Sequence, residues 1–310
     1  MSRTACFFQD SGRRHGNLKK LLYPNRRRHY DVPMTVAVDV AVMTYNSERY
    51  LARALRGLFN AVEVNDLYGV DHNSTDATRA ILDSFGAEVV TENVGLGYAR
   101  QVALGLVQTP IFMFLDSDIV FSEPYDWYAR VIDLLNGDAG LAAVVMCLPL
   151  DPNDLTNEYQ QYTQFWNKRQ PWTVNWGFTT GSTFIKREAV RGLKIPPLLD
   201  AREDRYMELY IRNKRHMRFI NLQCCGTHFF DYRRDKGAWC AANERLLTGL
   251  HYFGYNFLRH VATAPLKAIP PMFHFRNPKI LAWNTRYWCN YLEGYLRPEK
   301  YRKLVRCPTG

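Results

Sequence analysis

PIFMFLDSD, at residues 110–118, is an apolar run that stops at two carboxylates. Residues 111–115 are apolar on both faces and too few to form an independent helix, so they predict a buried strand of a parallel or mixed sheet. Because residues i and i+2 of an extended chain point the same way, Asp116 and Asp118 are expected to lie side by side where the strand ends. Two unpaired carboxylates repel each other, and oxygen ligands of this kind suit Mg²⁺ or Mn²⁺. The stretch therefore predicts a divalent-metal site at the end of a buried strand.

Strand and helix patterns alternate along the chain on both sides of this stretch. Before it, strands are predicted at residues 36–43, 63–70 and 88–91, and helices at residues 50–59, 78–85 and 98–106. After it, strands are predicted at residues 141–148, 178–185 and 218–222, and helices at residues 186–192 and 203–212. This alternation is typical of an α/β fold with a wound, mainly parallel sheet flanked by helices.

Polar residues follow three of the predicted strands, at residues 44–48, 71–76 and 116–118. Wound α/β sheets bind their ligands at the carboxyl ends of the strands. The sequence therefore predicts a ligand cleft lined by these three loops, with the metal at the third.

Two apolar stripes at helical spacing follow residue 239. The first consists of Leu246, Leu250, Phe253, Phe257 and Val261, and it is expected to end at Pro265, Pro270 and Pro271. The second consists of Ile280, Trp283, Tyr287, Tyr291 and Tyr295, with basic residues near its end. Aromatic residues beside basic ones suit a helix lying on a membrane surface. Packing on the core or on a partner subunit is the equal alternative.

The composition and charge of the chain limit the classes of protein to which it can belong. The chain has 310 residues, 47% of them hydrophobic, and a net charge of +10, with eight Lys/Arg against one acid in residues 1–30. That basic segment could bind nucleic acid or acidic lipid, or could be a solvated tail. Seven scattered cysteines without a CxxC pair argue against zinc and favour a reducing compartment. No signal-peptide pattern and no apolar run of about 18 residues is present, so a cytoplasmic protein is expected.

Six segments resemble the family 2 glycosyltransferases, which have the GT-A fold. They stand in the family's order over roughly residues 36–230: VAVMTYNSE (40–48), VDHNSTDAT (70–78), NVGLGYARQVAL (93–104), FLDSDIVF (114–121), TTGSTFIKREAV (179–190) and EDRYMELYIR (203–212). The resemblance implies a glycosyltransferase domain at residues 35–235. The charge pattern indicates a basic, flexible tail at residues 1–34, and the two stripes indicate a C-terminal helical extension at residues 236–310.

The resemblance also implies residue roles on the donor side. Thr44, Tyr45, Glu48 and Asp71 resemble residues that hold the nucleotide base and ribose, and Arg100 stands where the family often has a basic residue near the donor. At three places the sequence departs from the family's pattern, and these departures concern the choice of nucleotide base and donor sugar. The family's VDDGSTD is VDHNSTD here, its Arg-Asn is Arg100-Gln101, and its Gly-Gly is Thr180-Gly181. Asn73, in the Gly position, can adopt a left-handed turn, so the loop is expected to survive.

The resemblance also implies which residues bind the metal and which residue is the catalytic base. Asp118 resembles the metal ligand of the DxD pair, and Asp116 the residue that contacts ribose or metal-bound water. His228 lies near a position that contacts diphosphate or metal in some members. Asp204 resembles the catalytic base. The implied reaction is inverting transfer of a sugar from a nucleotide-diphosphate sugar to an acceptor hydroxyl, with Mg²⁺ or Mn²⁺ as cofactor.

Several alternatives stand beside this interpretation. A nucleotidyltransferase can share the sheet and a metal-binding aspartate, but it needs a Gly-rich, basic loop after the first strand, and residues 44–48 (TYNSE) are acidic and lack Gly. Nucleic-acid binding through the basic tail lacks a recognised motif. A catalytically inactive relative is disfavoured by the intact DxD and ED pairs. The acceptor is expected to be a soluble glycan or a polyprenyl-linked or other membrane-anchored one, reached through peripheral contact with the acidic inner face of a membrane.

Overall fold

The computed structural model describes residues 36–121, 127–147, 158–167, 178–197, 199, 202–223, 226–229 and 256–297. In chain order its elements are β1 (Val38–Thr44), α1 (Glu48–Ala61), β2 (Val64–Asp71), α2 (Thr78–Ser84), β3 (Glu88–Thr91), α3 (Leu96–Leu106), β4 (Ile111–Asp116), β5 (Ile119–Phe121), α4 (Trp127–Gly137), β6 (Leu141–Cys147), α5 (Glu158–Asn167), β7 (Ser182–Lys186), a 3₁₀ helix (Arg187–Val190), α6 (Glu203–Asn213), β8 (Arg218–Gln223), β9 (Gly226–His228), α7 (Asn256–His274) and α8 (Lys279–Leu296).

A central sheet carries strands in the order β3-β2-β1-β4-β7-β6-β8. The first four run parallel, and β6 runs parallel to β8. β7 is antiparallel to both of its neighbours. The sheet is therefore mainly parallel, which confirms the predicted α/β fold. It also brings the carboxyl ends of β1, β2 and β4 to one edge, because β1 pairs with both of the others.

Both faces of the sheet are buried. Val38, Val40 and Val42 point into one core with α1 and α4, whereas Ala41 and Met43 point into a second core with α3 and α6. The alternation has the two-residue period of a strand, and burial on both faces explains why β1 is apolar from Val40 to Met43 and β4 from Ile111 to Leu115. The core thus fixes the strand register and, with it, the positions of the residues at the strand ends.

Two short segments differ from the sequence-based expectation. The predicted strand at residues 178–185 begins only at Ser182, and the predicted helix at residues 186–192 is a 3₁₀ helix of four residues. β5 and β9 form a separate two-stranded antiparallel sheet that the sequence did not predict. Each of them has only three residues, which is too short for a detectable alternation pattern.

The expectation that the prolines end the first C-terminal helix was wrong. α7 runs from Asn256 to His274 and contains Pro265, Pro270 and Pro271. Proline normally breaks a helix because it lacks the N–H that would bond the carbonyl four residues earlier. For Pro271 that carbonyl belongs to Lys267, and the Trp166 indole N–H donates to it at 3.2 Å instead. A side chain from α5 therefore supplies one of the missing donors.

The first part of the second stripe packs within the chain. Ile280 is fully buried, and the Trp283 ring lies 5.7 Å from the rings of both Tyr159 and Tyr162 on α5. At these positions the side chains pack on another helix of the same chain and do not form the membrane-facing surface that was the other prediction. The basic N-terminal segment and Leu246, Leu250 and Phe253 of the first stripe lie outside the described residues. None of the described helices is long and apolar enough to cross a membrane.

Candidate active site

Hydrogen bonds join the loops that follow β1 and β2. The Asn46 backbone N–H donates to the Ser74 hydroxyl at 2.8 Å, and the Thr75 N–H donates to the Asn46 side-chain oxygen at 2.9 Å. Asn46 and Asn73 both adopt left-handed backbone, with φ of 46° and 48°. Asn73 thus takes the conformation predicted for it. The two polar loops form one surface because each satisfies the backbone of the other.

Glu48 belongs to this loop pair. Its backbone N–H donates to Asp76 Oδ2 at 3.1 Å, and its own Oε2 accepts from the Ala77 N–H at 3.0 Å. One oxygen of the predicted donor-binding carboxylate therefore holds the neighbouring loop. The predicted contact of Glu48 with a donor stays a prediction.

Asp71 is fully buried at the end of β2. It accepts hydrogen bonds from the Thr44 hydroxyl (2.8 Å), the Ser74 N–H (2.9 Å) and the Ser74 hydroxyl (2.6 Å). A carboxylate offers about four lone-pair sites, so roughly one is left for a ligand N–H. Thr44 therefore acts on Asp71 by orienting it.

A cluster around Glu92 was missed by the sequence prediction. The exposed Tyr45 ring meets the His72 ring edge-on at 5.2 Å, and His72 Nδ1 lies 2.6 Å from Glu92 Oε1. Glu92 is buried, and its other oxygen accepts from the Val94 and Gly95 N–H groups at 2.7 and 2.9 Å. The available signal was a carboxylate placed directly before the glycine turn that opens α3. Glu92 ties that turn to the β2 loop.

Arg100 is a deeply buried positive charge of the site. It is 1% exposed, and its Nη2 donates to Asp116 Oδ1 at 2.7 Å. Its Nε lies 3.8 Å from Glu203 Oε1, and its guanidinium lies 4.8 Å from the centre of the Phe114 ring. Arg100 therefore joins the end of β4 to the start of α6. Whether it also contacts a donor stays a prediction.

Gly181 fits the space beside Asp116. The Asp116 N–H donates to the Gly181 carbonyl at 2.7 Å. A Cβ at position 181 would lie 2.5 Å from Asp116 Oδ2, which no side chain can do without displacing the carboxylate. Glycine at this point of the segment predicted as a strand (residues 178–185) is required by the close approach of Asp116.

The small β5–β9 sheet brings two predicted metal ligands together. Ile119 pairs with His228, and the Phe229 N–H donates to the Asp118 carbonyl at 2.8 Å. As a result, His228 Nε2 lies 3.4 Å from Asp118 Oδ1, and both side chains are about one-third exposed, at 29% and 31%. Asp116 has one oxygen held by Arg100. Within the described ranges, no cluster of three or more His, Cys, Asp or Glu is placed to hold a metal.

Glu203 and Asp204 begin α6, after Arg202 in left-handed conformation (φ 68°). Glu203 is buried, with the Thr180 hydroxyl 3.4 Å from its Oε1. Burial, followed by the negative charge of Asp204, raises the pKa of Glu203 to about 8. Burial likewise raises the pKa of Asp204, although its Oδ1 accepts from the Arg205 N–H at 2.6 Å. The site thus holds two carboxyl groups that take up protons more readily than ordinary ones.

Solved structures of low sequence identity share this fold. The chain superposes on a mannosyltransferase from Pyrobaculum calidifontis, solved with GDP-Man and Mn²⁺, with a TM-score of 0.53 and 17% identity over 95% of this chain and 90% of the other. Residues 1–349 of Staphylococcus aureus TarS give a TM-score of 0.51 and 16% identity over 87% of this chain and 86% of that one.

A curated relative matches a shorter part. A teichoic acid poly(glycerol phosphate) polymerase of Staphylococcus epidermidis is 33% identical over 96 residues, which is 26% of this chain and 12% of that relative. The chain therefore matches only a small part of that protein's length.

A family model covers more than half of the chain. Residues 39–236 match the model described as Glycosyl transferase family 2. This range contains all six of the quoted segments and the central sheet apart from Val38. The match confirms the predicted family and enzyme class, and it decides against a nucleotidyltransferase. The chain belongs to glycosyl transferase family 2.

Proposed function

We propose that the protein is an inverting glycosyltransferase that moves a sugar from a nucleotide-diphosphate sugar to an acceptor hydroxyl. The observation that carries the proposal is the contact of the Arg100 guanidinium with the Asp116 carboxylate on one side, at 2.7 Å, and the Glu203 carboxyl group on the other, at 3.8 Å. This contact brings the predicted donor side, at the end of β4, next to the predicted base on α6. One cleft can then hold a donor and activate an acceptor.

The donor would lie along the joined loops after β1 and β2. The exposed Tyr45 ring offers an aromatic face to a base, and Asp71 has a lone-pair site left for a base N–H. The Pyrobaculum structure of the same fold holds GDP-Man and Mn²⁺. A TarS structure that holds UDP superposes with a TM-score of 0.50 and 14% identity. A nucleotide sugar is therefore the donor class that fits best.

Asp118 and His228 would hold a divalent metal, with Asp116 towards the ribose or a metal-bound water. A carboxylate and an imidazole suit Mn²⁺, and Mg²⁺ is commonly held by one or two carboxylates together with substrate phosphates and water. Two protein ligands 3.4 Å apart and open to solvent fit that pattern. When bound, the ion supplies positive charge that stabilises the diphosphate leaving group.

Asp204 is proposed as the general base. Its raised pKa makes it a stronger proton acceptor than an ordinary aspartate, and the acceptor hydroxyl must lose a proton as it attacks the anomeric carbon. Attack from the face opposite the leaving group needs no covalent intermediate, so the anomeric configuration inverts. Burial raises the pKa of Glu203 to about 8, so Glu203 stays protonated beside Asp204 at neutral pH.

The acceptor is proposed to be a polyprenyl-linked or other membrane-anchored glycan, reached from the cytoplasmic side. The support is chemical: the described C-terminal helices are basic and carry exposed apolar side chains.

The donor-binding part of the proposal is tested by thermal unfolding with UDP, GDP and their sugars, with and without Mn²⁺. A ligand at about 100 times its Kd stabilises the native state by roughly 2.7 kcal/mol, so the matching nucleotide should raise the midpoint visibly. Asp118→Ala should lose the Mn²⁺-dependent part of the shift, whereas Asp83→Ala, an exposed aspartate on α2, should keep it. A flat response to every nucleotide would contradict the proposal.

The base is tested separately. Asp204→Asn should bind the donor as the wild type does but transfer sugar roughly 10²–10⁴-fold more slowly. Product analysis by NMR should show the inverted anomer. Full transfer by Asp204→Asn would remove Asp204 from this role.

A further inference from the structure

The outer face of α7 is apolar although it is exposed. Leu266, Ile269 and Phe273 are 65%, 37% and 70% exposed. Their spacing of three and four residues puts them on one side of the helix. Pro270 lies on the same side and is also exposed. The four side chains form a continuous apolar face, here called the α7 face.

The α7 face is held outward by packing on the opposite side. Ala264 and Ala268 are fully buried, and Pro271 is buried too. The Trp166 bond to the Lys267 carbonyl fixes the helix against α5. The exposure of the three large side chains therefore follows from the docked orientation of α7.

Apolar exposure is concentrated on this helix. Among the described residues, the large hydrophobic side chains that are exposed are Val36, Tyr45, Leu266, Ile269, Phe273 and Leu296. Half of them belong to the α7 face. A single exposed hydrophobic residue is ordinary, but a contiguous group marks a surface that binds something apolar.

The charge around the face indicates what it binds. Residues 256–297 contain six Lys/Arg and one acid, Glu293. The exposed ones on or near α7 and α8 are Lys267, Arg276, Lys279, Arg286 and Arg297. A second copy of this chain would bring two such basic regions together, which opposes self-association through the face. An anionic lipid surface offers both an apolar interior and negative charge.

We propose that the α7 face docks the protein onto an anionic membrane, with Leu266, Ile269 and Phe273 entering the headgroup–acyl boundary. An interfacial helix buries its apolar face about 5–10 Å deep, and basic residues near the surface add attraction to acidic lipid. The inference stands on the helix alone; it would also place the catalytic domain near a lipid-linked acceptor, and that consequence rests on the proposed function.

Vesicle flotation tests the surface. Wild-type protein should float with vesicles of phosphatidylcholine containing about one-third phosphatidylglycerol, and much less with phosphatidylcholine alone. Leu266→Ser/Phe273→Ser should lower the partition coefficient roughly tenfold or more, because two large apolar groups no longer enter the lipid. Arg276→Glu/Lys279→Glu should weaken the preference for the anionic vesicles, because two of the five exposed basic residues near the face become acidic. Val36→Ser and Arg56→Glu, which change an exposed apolar and an exposed basic residue elsewhere, should float as the wild type does.

Three results would overturn the inference. The first is a wild type that does not float, and the second is a Leu266→Ser/Phe273→Ser variant that floats undiminished. The third is a wild-type dimer, seen by light scattering, that the same variant dissociates, because the face would then bind protein.

The nucleotide-dependent shift in unfolding midpoint serves as the folding control for every variant. Since it depends on the catalytic cleft, its absence in the wild type would contradict the proposed function and leave the flotation result to stand alone. Leu266→Gln replaces the double variant if that variant is unfolded.

Discussion

Arg100 illustrates how much of this site depends on single buried charges. It is almost fully buried and is paired with the Asp116 carboxylate at the end of β4, and it also lies close to the Glu203 carboxyl group at the start of α6. A buried charge is tolerated only when it is paired, and removing one member of such a pair leaves the others without compensation. The Phe114 ring covers the guanidinium on a further side. Arg100 is therefore a residue that positions Asp116 and Glu203.

Glu203 makes the stability of the protein depend on pH. Its pKa is raised from the usual 4.5 to about 8 in the native state. Between these values the native state holds a proton that the unfolded state lacks, so the free energy of unfolding falls as pH rises. Glu203→Gln cannot ionise, so its stability relative to the wild type should increase from pH 5 to pH 9. Urea denaturation across this range measures the difference.

The control for this experiment is Glu188→Gln, because Glu188 is exposed on the 3₁₀ helix. Its stability difference from the wild type should stay nearly constant with pH. A Glu203→Gln difference that is equally flat would mean that Glu203 ionises normally in the folded protein.

Residue-level prediction from sequence succeeded where position in the chain decides the outcome. Asp71 and Asp116 end parallel strands, and parallel strands end at one edge of the sheet, so the placement of both residues at that edge could be predicted. The neighbours of Arg100 could not, because Glu203 is distant in sequence and reaches Arg100 only through the packing of α6 on the sheet. Glu92 was missed for a similar reason, since its partner His72 lies on another loop.

At the scale of elements, α7 shows how a helix can contain three prolines. Pro271 leaves the Lys267 carbonyl without its usual donor, and Trp166 on α5 provides one at 3.2 Å. The sequence rule that proline ends a helix is local, whereas this compensation comes from a residue about one hundred positions earlier. The β5–β9 pair is likewise invisible locally, although it brings His228 to Asp118.

A double-mutant cycle tests the compensation. Trp166→Phe should lower the free energy of unfolding by about 1 kcal/mol, the typical net contribution of a hydrogen bond. Pro271→Ala restores a backbone N–H that can bond the Lys267 carbonyl. In that background Trp166→Phe should therefore have a clearly smaller effect, as measured by urea denaturation. Effects that add to within about 0.5 kcal/mol would mean that the indole bond does not substitute for the proline.

At the scale of the whole molecule, the predicted boundary at residues 235 and 236 falls between elements that contact each other. α5, on the glycosyltransferase side, packs its aromatic residues on both C-terminal helices. Tyr159 and Tyr162 meet Trp283, and the buried Phe165 lies 5.3 Å from the His274 ring. The extension therefore completes a core that the family-matched part begins. The sequence suggested separate units because the family's motifs end where the aromatic stripes begin.

Deleting residues 236–310 should consequently damage the part that remains. The α5 aromatic side chains would face water, and burying one such side chain contributes about 1.5–3 kcal/mol. We expect a lower urea midpoint and increased binding of a hydrophobic dye, with both restored when residues 236–310 are co-expressed as a separate chain. An unchanged midpoint and unchanged dye binding would contradict this and would establish residues 35–235 as an independent folding unit. The restored complex is the sharper outcome, because only specific packing of α5 against α7 and α8 can produce it.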